Sequence, residues 1–187
     1  MGCRVVGIAG GTAKCDYVVR ELGFDACVDH KAGRLAEDLS KACPAGVDVY
    51  FENVGGEILD VLLRHMNRHS RIVVCGQVSQ YNLVEPEPTF HPVTLIVFRA
   101  RMQGFLVTDY AHRFDEAAQR LAGWLSAGTL VWREDVTEGL EHAPQAGLRA
   151  AANLPDAEAD HVTLVYLASD AAALADRKNA ILSGLTQ

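Results

Sequence analysis

A glycine pair followed by a lysine is the first segment of this sequence that could hold a ligand. Gly10 and Gly11 end an apolar run over residues 4–9, and Lys14 follows three residues later. At the end of the second strand of a dinucleotide-binding sheet, an acidic residue binds the ribose 2′-hydroxyl, whereas a small or basic environment accepts a 2′-phosphate. If residues 4–9 form that strand, the spacing predicts NADP(H). A plain turn with a solvated lysine is an equal alternative.

Strands and helices must alternate to position such a turn. Apolar, β-branched runs at residues 4–9, 24–28, 47–51 and 71–75 are separated by stretches of helical periodicity. Single-helix crossovers require parallel strands. The sequence therefore predicts an α/β fold with a Rossmann-like, doubly wound parallel sheet. No G-x-G-x-x-G turn is present, so this sheet is expected to lack its first strand and Gly-rich turn.

The second half of the chain departs from regular alternation. A strand is predicted over residues 102–107, followed by a helix over residues 114–127 that turns Leu121, Trp124 and Leu125 inward. Residues 1–146 are interpreted as a partial NADP-binding domain. Residues 147–187 form an Ala-rich, divergent tail with a possible strand at 162–167 and a possible helix at 169–185. The apolar segment 162–167 could fill the empty central position of the sheet.

Composition limits the classes of partner. A formal net charge of −7 and a pI near 5.4 disfavour nucleic acid and anionic membranes. No apolar run approaches the ~20 residues that cross a bilayer, and a cytoplasmic location is expected. The five cysteines show no C-x-x-C spacing, so reduced thiols are expected in place of disulfides or a metal site. His65 and His69 lack a third ligand, so no metal is predicted.

Five ordered blocks of residues carry a more specific signal. They are Gly-Cys-Arg-Val-Val-Gly-Ile-Ala-Gly-Gly-Thr-Ala-Lys at 2–14, Leu-Gly-Phe-Asp-Ala at 22–26, Val-Tyr-Phe-Glu-Asn-Val-Gly-Gly at 49–56, Val-Cys-Gly-Gln-Val-Ser-Gln-Tyr-Asn at 74–82 and Gln-Gly-Phe-Leu-Val at 103–107. Together they resemble the zinc-free medium-chain dehydrogenase/reductases. The most similar branch contains the prostaglandin reductases, the leukotriene B4 12-hydroxydehydrogenases and the NADPH-dependent curcumin and alkenal reductases. The resemblance covers residues 2–146.

The resemblance implies a set of cofactor-binding positions. Lys14 would contact the 2′-phosphate beyond the Gly10-Gly11 turn, assisted by His30, where the family usually has tyrosine. Asn53 would lie beside the cofactor. The nicotinamide half would be lined by Cys75, Gly76, Val78, Tyr81, Phe105 and Val107. Ligands of open α/β sheets bind outside the carboxyl ends of the strands, which is where all these residues fall.

The resemblance also implies a reaction. Hydride would pass from NADPH to the β-carbon of an α,β-unsaturated ketone or aldehyde, and the resulting enolate would be protonated. Tyr81 is the catalytic candidate, because its phenol can donate a hydrogen bond to the enolate oxygen. The alternative is that Tyr81 only packs against cofactor or substrate.

Two other classes of function remain open. Family members often pair through the sheet edge near residues 102–107, so the chain could be a homodimer or a catalytically inactive nucleotide-binding or dimerisation module. A methyltransferase-like α/β domain is disfavoured, because no Gly-rich first loop and no acidic end of the second strand are present.

Overall fold

Alternating strands and helices form the fold, as expected from the hydrophobic runs. The computed structural model describes residues 2–81, 83–85, 92–131, 138, 140–142 and 163–167. The strands are β1 (Arg4–Ala9), β2 (Ala26–Asp29), β3 (Val47–Glu52), β4 (Met66–Val74), β5 (Arg101–Gly104) and β6 (Thr163–Leu167). The α-helices are α1 (Thr12–Arg20), α2 (Leu35–Ala42), α3 (Gly56–Leu63), α4 (Val93–Phe98) and α5 (Phe114–Ser126). Short 3-10 helices cover His30–Ala32, Val78–Gln80, Val107–Arg113 and Leu140–His142.

The strands that the structure describes lie in one sheet in the order β2-β1-β6-β3-β4-β5. β1 pairs with β2, β3 with β4 and β4 with β5, all in parallel. Parallel neighbours end at the same edge of a sheet, so the turns after β1 to β5 share one side of the molecule. This is the Rossmann-like α/β arrangement that the sequence predicted.

β6 is the exception to the parallel arrangement. It lies between β1 and β3 and runs antiparallel to both. Thr163 stands opposite Ile8, and Leu167 stands opposite Arg4. The segment suggested for the central position of the sheet therefore lies there, and its strand is one residue shorter than predicted. The boundary at residue 146 and the helix at 169–185 lie outside the described residues and stay predictions.

Apolar side chains of the strands and of the first three helices form the core. Val6 and Ile8 of β1, Ile72 of β4, Leu39 of α2 and Leu62 of α3 are each at most 1% exposed. Burying one such side chain stabilises the fold by ~1.5–3 kcal/mol. Continuous burial along β1, where the last four residues are all buried, agrees with helices covering both faces of the sheet.

Two expectations for the second half of the chain are wrong. The strand predicted at 102–107 ends at Gly104, and Val107 begins a 3-10 helix instead. The side chains of Leu121, Trp124 and Leu125, expected to point inward, are 42–46% exposed. Helical periodicity identifies an apolar face but does not say what covers it, and in the part of the chain described here that face of α5 lies open to solvent.

Candidate functional site

The turn after β1 is tied to the turn after β2 by one carboxylate. Gly11 has a φ of 90°, which glycine adopts without strain. Its N–H donates to Oδ1 of Asp29 at 2.8 Å, and the N–H of Lys31 donates to the same oxygen at 3.0 Å. Asp29 is the last residue of β2. Its side chain therefore fixes the distance between these two neighbouring turns.

This link brings the first group of predicted site residues to one place. Lys14 lies in the first turn of α1, directly after the Gly10-Gly11 turn, and is half-buried. His30 follows Asp29 as the first residue of a 3-10 helix. Reasoning from the sequence missed Asp29 because it looked for an acidic residue only at the end of residues 4–9. The available signal was an aspartate at the end of the neighbouring strand.

The loops that follow β3 and β4 form a second cluster. The backbone N–H of Val78 donates to the carbonyl oxygen of Asn53 at 3.0 Å. Ser79 donates twice to the carbonyl oxygen of Val54, from its N–H at 2.9 Å and from its hydroxyl at 2.6 Å. Each bond joins one loop to the other. The structure thereby brings Asn53 together with the segment that contains Cys75, Gly76 and Val78.

Gly76 is the point where this second cluster is most tightly packed. A β-carbon at this position would lie 2.7 Å from Oδ1 of Asn53 and 2.9 Å from the hydroxyl oxygen of Tyr81. The Tyr81 oxygen accepts the N–H of Gln77 at 3.3 Å. The Tyr81 side chain is nevertheless 68% exposed, and Cys75 is exposed beside it. Asn53, Gly76 and Tyr81 thus meet at the open edge of the sheet.

Replacing Gly76 by alanine is expected to displace Asn53 and Tyr81 while the sheet stays folded. The new methyl group would overlap both polar atoms, and because these are the ends of side chains that can move aside, the destabilisation is expected at the lower end of the ~1–3 kcal/mol typical of overpacking. Urea unfolding measures the change. The matched control is Gly123→Ala in α5, where a β-carbon meets nothing within 4 Å and helix propensity predicts stabilisation of up to ~1 kcal/mol. Equal stability of the two variants would contradict the packing at Gly76.

A fully buried carboxyl group, that of Glu52, holds the turn of this second cluster by hydrogen bonds. Glu52, the last residue of β3, is 0% exposed. Its Oε1 accepts the backbone N–H groups of Val54 and Gly55, the latter at 2.8 Å, and its Oε2 accepts the hydroxyl of Tyr50 at 2.8 Å. Burial raises the pKa of Glu52, and the hydrogen bonds oppose that rise. Burial likewise raises the pKa of Tyr50.

Glu52 is the second residue that reasoning from the sequence missed as part of the site. A carboxylate at the end of a strand with apolar residues on both faces was the available signal, since such a group is buried only when it is hydrogen-bonded. Its position is informative because two of its donors belong to the turn that follows Asn53. The carboxyl group therefore sets the path of the chain as it leaves β3.

Phe105 and Val107 lie at a third place along the same sheet edge. The Phe105 ring packs against Phe51 of β3 with 6.4 Å between ring centroids and against Tyr110 at 6.1 Å. Val107 is exposed. Both residues line an open cavity of about 440 Å³ whose other walls come from the 3-10 helix at Val107–Arg113 and from α5. The N–H of Phe105 donates to the carbonyl oxygen of Val74 at 3.3 Å, so Phe105 lies beside the start of the segment that contains Cys75 and Gly76. No described contact joins Val107 to Asn53 or Tyr81.

Within the described ranges, no group of three or more His, Cys, Asp or Glu side chains is arranged to hold a metal ion. Within these ranges, too, no helix combines the length and the apolar character that a bilayer crossing needs.

Comparison with known proteins identifies the relatives of this architecture. The family model described as zinc-binding dehydrogenase matches residues 1–123. The NADPH-dependent curcumin reductase of Escherichia coli (strain K12) is 47% identical over 150 residues, which are 77% of this chain and 44% of that protein. The NADP(+)-dependent 2-alkenal reductase of Nicotiana tabacum is 44% identical over 147 residues, which are 78% of this chain and 43% of that protein. Prostaglandin reductase 1 of Oryctolagus cuniculus is 38% identical over 153 residues, which are 79% of this chain and 43% of that protein.

A solved structure agrees with these matches. The crystal structure of CurA from Vibrio vulnificus in complex with NADPH superposes with a TM-score of 0.73 at 43% identity, covering 82% of this chain and 48% of that one. The chain thus spans less than half the length of the curated relatives that it matches. Both its fold and its matched residues show that the chain belongs to the zinc-binding dehydrogenase family, in the branch of the curcumin, alkenal and prostaglandin reductases.

Proposed function

We propose that this chain provides the NADPH-binding part of a reductase that acts on the C=C bond of α,β-unsaturated ketones and aldehydes. The names of the curcumin and alkenal relatives support this substrate class. The observation that carries the proposal is the position of Lys14, half-buried in the first turn of α1 directly after the Gly10-Gly11 turn. A lysine there supplies the positive charge that a 2′-phosphate requires.

The surroundings of Lys14 fit a phosphorylated ribose. Asp29 would repel a phosphate, but its Oδ1 is engaged by two backbone N–H groups, and its carboxylate thereby holds the turn in place. We expect His30, which directly follows Asp29, to assist Lys14. These residues would bind the adenosine half of the cofactor and select the phosphorylated form.

The second cluster fits the nicotinamide half. Because Gly76 has no side chain, the polar ends of Asn53 and Tyr81 both reach over its backbone at the open edge of the sheet, where they would face the cofactor. Cys75, Val78, Phe105 and Val107 would border the same part of that edge. When bound, NADPH would supply the hydride. Because the Tyr81 oxygen accepts the N–H of Gln77, its own hydrogen can be donated to a substrate oxygen.

Replacing Lys14 by alanine is expected to weaken NADPH binding by roughly ten- to a hundredfold and to leave NADH binding unchanged. The expected loss equals a hydrogen bond to a charged group, ~1.5–3 kcal/mol. Fluorescence titration of the full chain with each cofactor measures both affinities. The control is Lys41→Ala in α2, whose ammonium pairs with Glu37 at 2.6 Å. Equal weakening of both cofactors would reject the assignment of Lys14 to the 2′-phosphate.

A non-catalytic pairing module is the second candidate. β5 forms an outer edge of the described sheet, and α4 exposes Val93, Ile96 and Val97. An unpaired edge strand and exposed apolar side chains each favour association with a second copy. A titration without any NADPH-dependent fluorescence change up to millimolar concentration would favour this module. We also place the protein in the cytoplasm, because its free thiols persist best in a reducing compartment.

A further inference from the structure

Arginines are concentrated in and around β4 and β5, in a chain whose formal net charge is −7. Neither residues 61–84 nor residues 88–108 contain an Asp or a Glu. Together these two stretches contain five arginines, which are Arg64, Arg68, Arg71, Arg99 and Arg101. Positive charge is therefore gathered in one part of the sheet. We name the last four of these residues the arginine surface.

Strand pairing brings the arginine surface together. β4 and β5 are parallel neighbours, and Arg71 stands opposite Arg101 in their register. Opposite residues of neighbouring strands lie about 5 Å apart and point to the same face of the sheet. Arg68 and Arg99 precede this pair along the chain, so they lie further toward the amino ends of the two strands. Arg68, Arg99 and Arg101 are exposed, and Arg71 is half-buried.

Repulsion between Arg71 and Arg101 favours the binding of an anion, because like charges that face each other across neighbouring strands destabilise a sheet. Burial and the nearby Arg101 guanidinium both lower the pKa of Arg71. The adjacent strand β3 carries Asp48 near its amino end, but this carboxylate is buried and accepts a hydrogen bond from Nδ2 of Asn67 at 3.2 Å. Val49 is the residue that stands opposite Arg71, so Asp48 points to the other face of the sheet.

We propose that the arginine surface binds an acidic segment of another polypeptide. Guanidinium groups bind carboxylates through two parallel N–H···O bonds, and arginine stays charged at physiological pH. Ile96 and Val97 of α4 lie just before Arg99 in the chain and are 74% and 56% exposed. A polypeptide can contact such apolar side chains while its carboxylates bind the arginines, which is the mixture of contacts typical of protein interfaces.

Nucleic acid fits the arginine surface less well than a polypeptide does. Residues 66–73 and 99–104 contain no Phe, Tyr or Trp on which a base could stack. A long polyanion would also meet the negative charge of the rest of the chain. The surface lies toward the amino ends of β4 and β5, whereas the residues proposed for the cofactor follow the carboxyl ends. The inference is therefore independent of the proposed function.

Fluorescence anisotropy of the full chain with labelled peptides tests the proposal. The probe is a short fluorescein-labelled peptide in which Glu and Val alternate, and the same peptide with Lys in place of Glu is the charge control. We expect saturable binding of the glutamate peptide, an affinity that falls as salt is raised, and no binding of the lysine peptide. Hydrogen exchange of the unmodified chain should become slower at residues 99–104 when the glutamate peptide is bound.

Charge-reversal variants locate the binding site. Arg99→Glu combined with Arg101→Glu is expected to weaken binding of the glutamate peptide by roughly tenfold or more, because repulsion replaces two attractions. The matched control is Arg20→Glu combined with Arg120→Glu, which changes the net charge equally at exposed arginines of α1 and α5. This control should weaken binding by less than about twofold, since salt screens distant charges. Should the first variant fail to fold, hydrogen exchange of the unmodified chain decides the location.

Several results would overturn the proposal. They are the absence of binding by the glutamate peptide, equal weakening by the two double variants, and unchanged hydrogen exchange at residues 99–104. Tighter binding of a single-stranded oligonucleotide of equal charge would assign the surface to nucleic acid instead. A dimer in analytical ultracentrifugation that dissociates when Arg99 and Arg101 are replaced would assign it to a second copy of this chain.

Discussion

Removal of residues 160–187 is expected to unfold the chain. The deletion takes away β6, which pairs with β1 from Arg4 to Ile8 and with β3 at Val49 and Tyr50. The backbone groups of two central strands would then lose partners in the middle of the sheet. Each buried group left without a hydrogen bond costs ~1–3 kcal/mol. Several of them together exceed the ~5–15 kcal/mol that stabilises a typical domain. Circular dichroism during urea unfolding measures the loss.

A shorter deletion provides the control for this experiment. Removing residues 170–187 keeps β6 and is expected to retain the cooperative unfolding transition. Hydrogen exchange gives an independent measurement, because amides in a central strand exchange only through large openings. Rapid exchange throughout residues 163–167 in the full chain, or a stable fold without residues 160–187, would refute the role of β6.

Replacing Glu52 by alanine is expected to lower the unfolding free energy by on the order of 4 kcal/mol. The change leaves the N–H groups of Val54 and Gly55 and the hydroxyl of Tyr50 without their acceptor, and each such loss costs ~1–3 kcal/mol. Urea unfolding measures the effect. The control is Glu57→Ala in the first turn of α3, which is exposed and should change stability by less than about 1 kcal/mol. An equal effect of both substitutions would show that Glu52 does not organise the turn.

The pH dependence of the unfolding free energy tests whether burial raises the pKa of Glu52. Because burial raises the pKa of Glu52, the folded chain holds this proton to a higher pH than the unfolded chain. Between the two pKa values the folded state binds more protons, so this contribution to the unfolding free energy decreases as pH rises. Glu52→Gln keeps the acceptor oxygen and cannot titrate. The unfolding free energy of the Glu52→Gln variant should therefore decrease less with rising pH than that of the original chain. If both chains show the same slope of unfolding free energy against pH, the raised pKa of Glu52 is contradicted.

Local patterns were sufficient to predict most of the sheet. The runs at 4–9 and 47–51 became β1 and β3 almost residue for residue, since continuous apolar segments between helices are typical of parallel strands. The glycine pair at 10–11 was correctly identified as a strand-to-helix turn, because glycine adopts the positive φ required at Gly11 without strain. These features depend on neighbours in the sequence.

Features that depend on distant contacts were beyond the same reasoning. The link from Asp29 to Gly11 joins residues 18 positions apart, and only the pairing of β1 with β2 brings them within reach. The donors to Glu52 are near neighbours in the sequence, but the burial that makes these bonds necessary depends on the packing of the whole sheet. The reversed direction of β6 has the same origin, because alternation of burial along a strand is identical whichever way the strand runs. The apolar face of α5 is exposed within the described residues, and the periodicity of the helix does not say which other segment covers such a face.

The position of β6 also governs when the molecule can assemble during synthesis. In the described sheet, β2 and β1 form one parallel pair, β3, β4 and β5 form another group, and β6 joins the two. Of the described strands the joining one is synthesised last, so the two groups of strands cannot close into one sheet before it is made. Pairings this remote in sequence form slowly, and exposed edges invite aggregation meanwhile. Chaperone dependence in the cell would be the natural outcome.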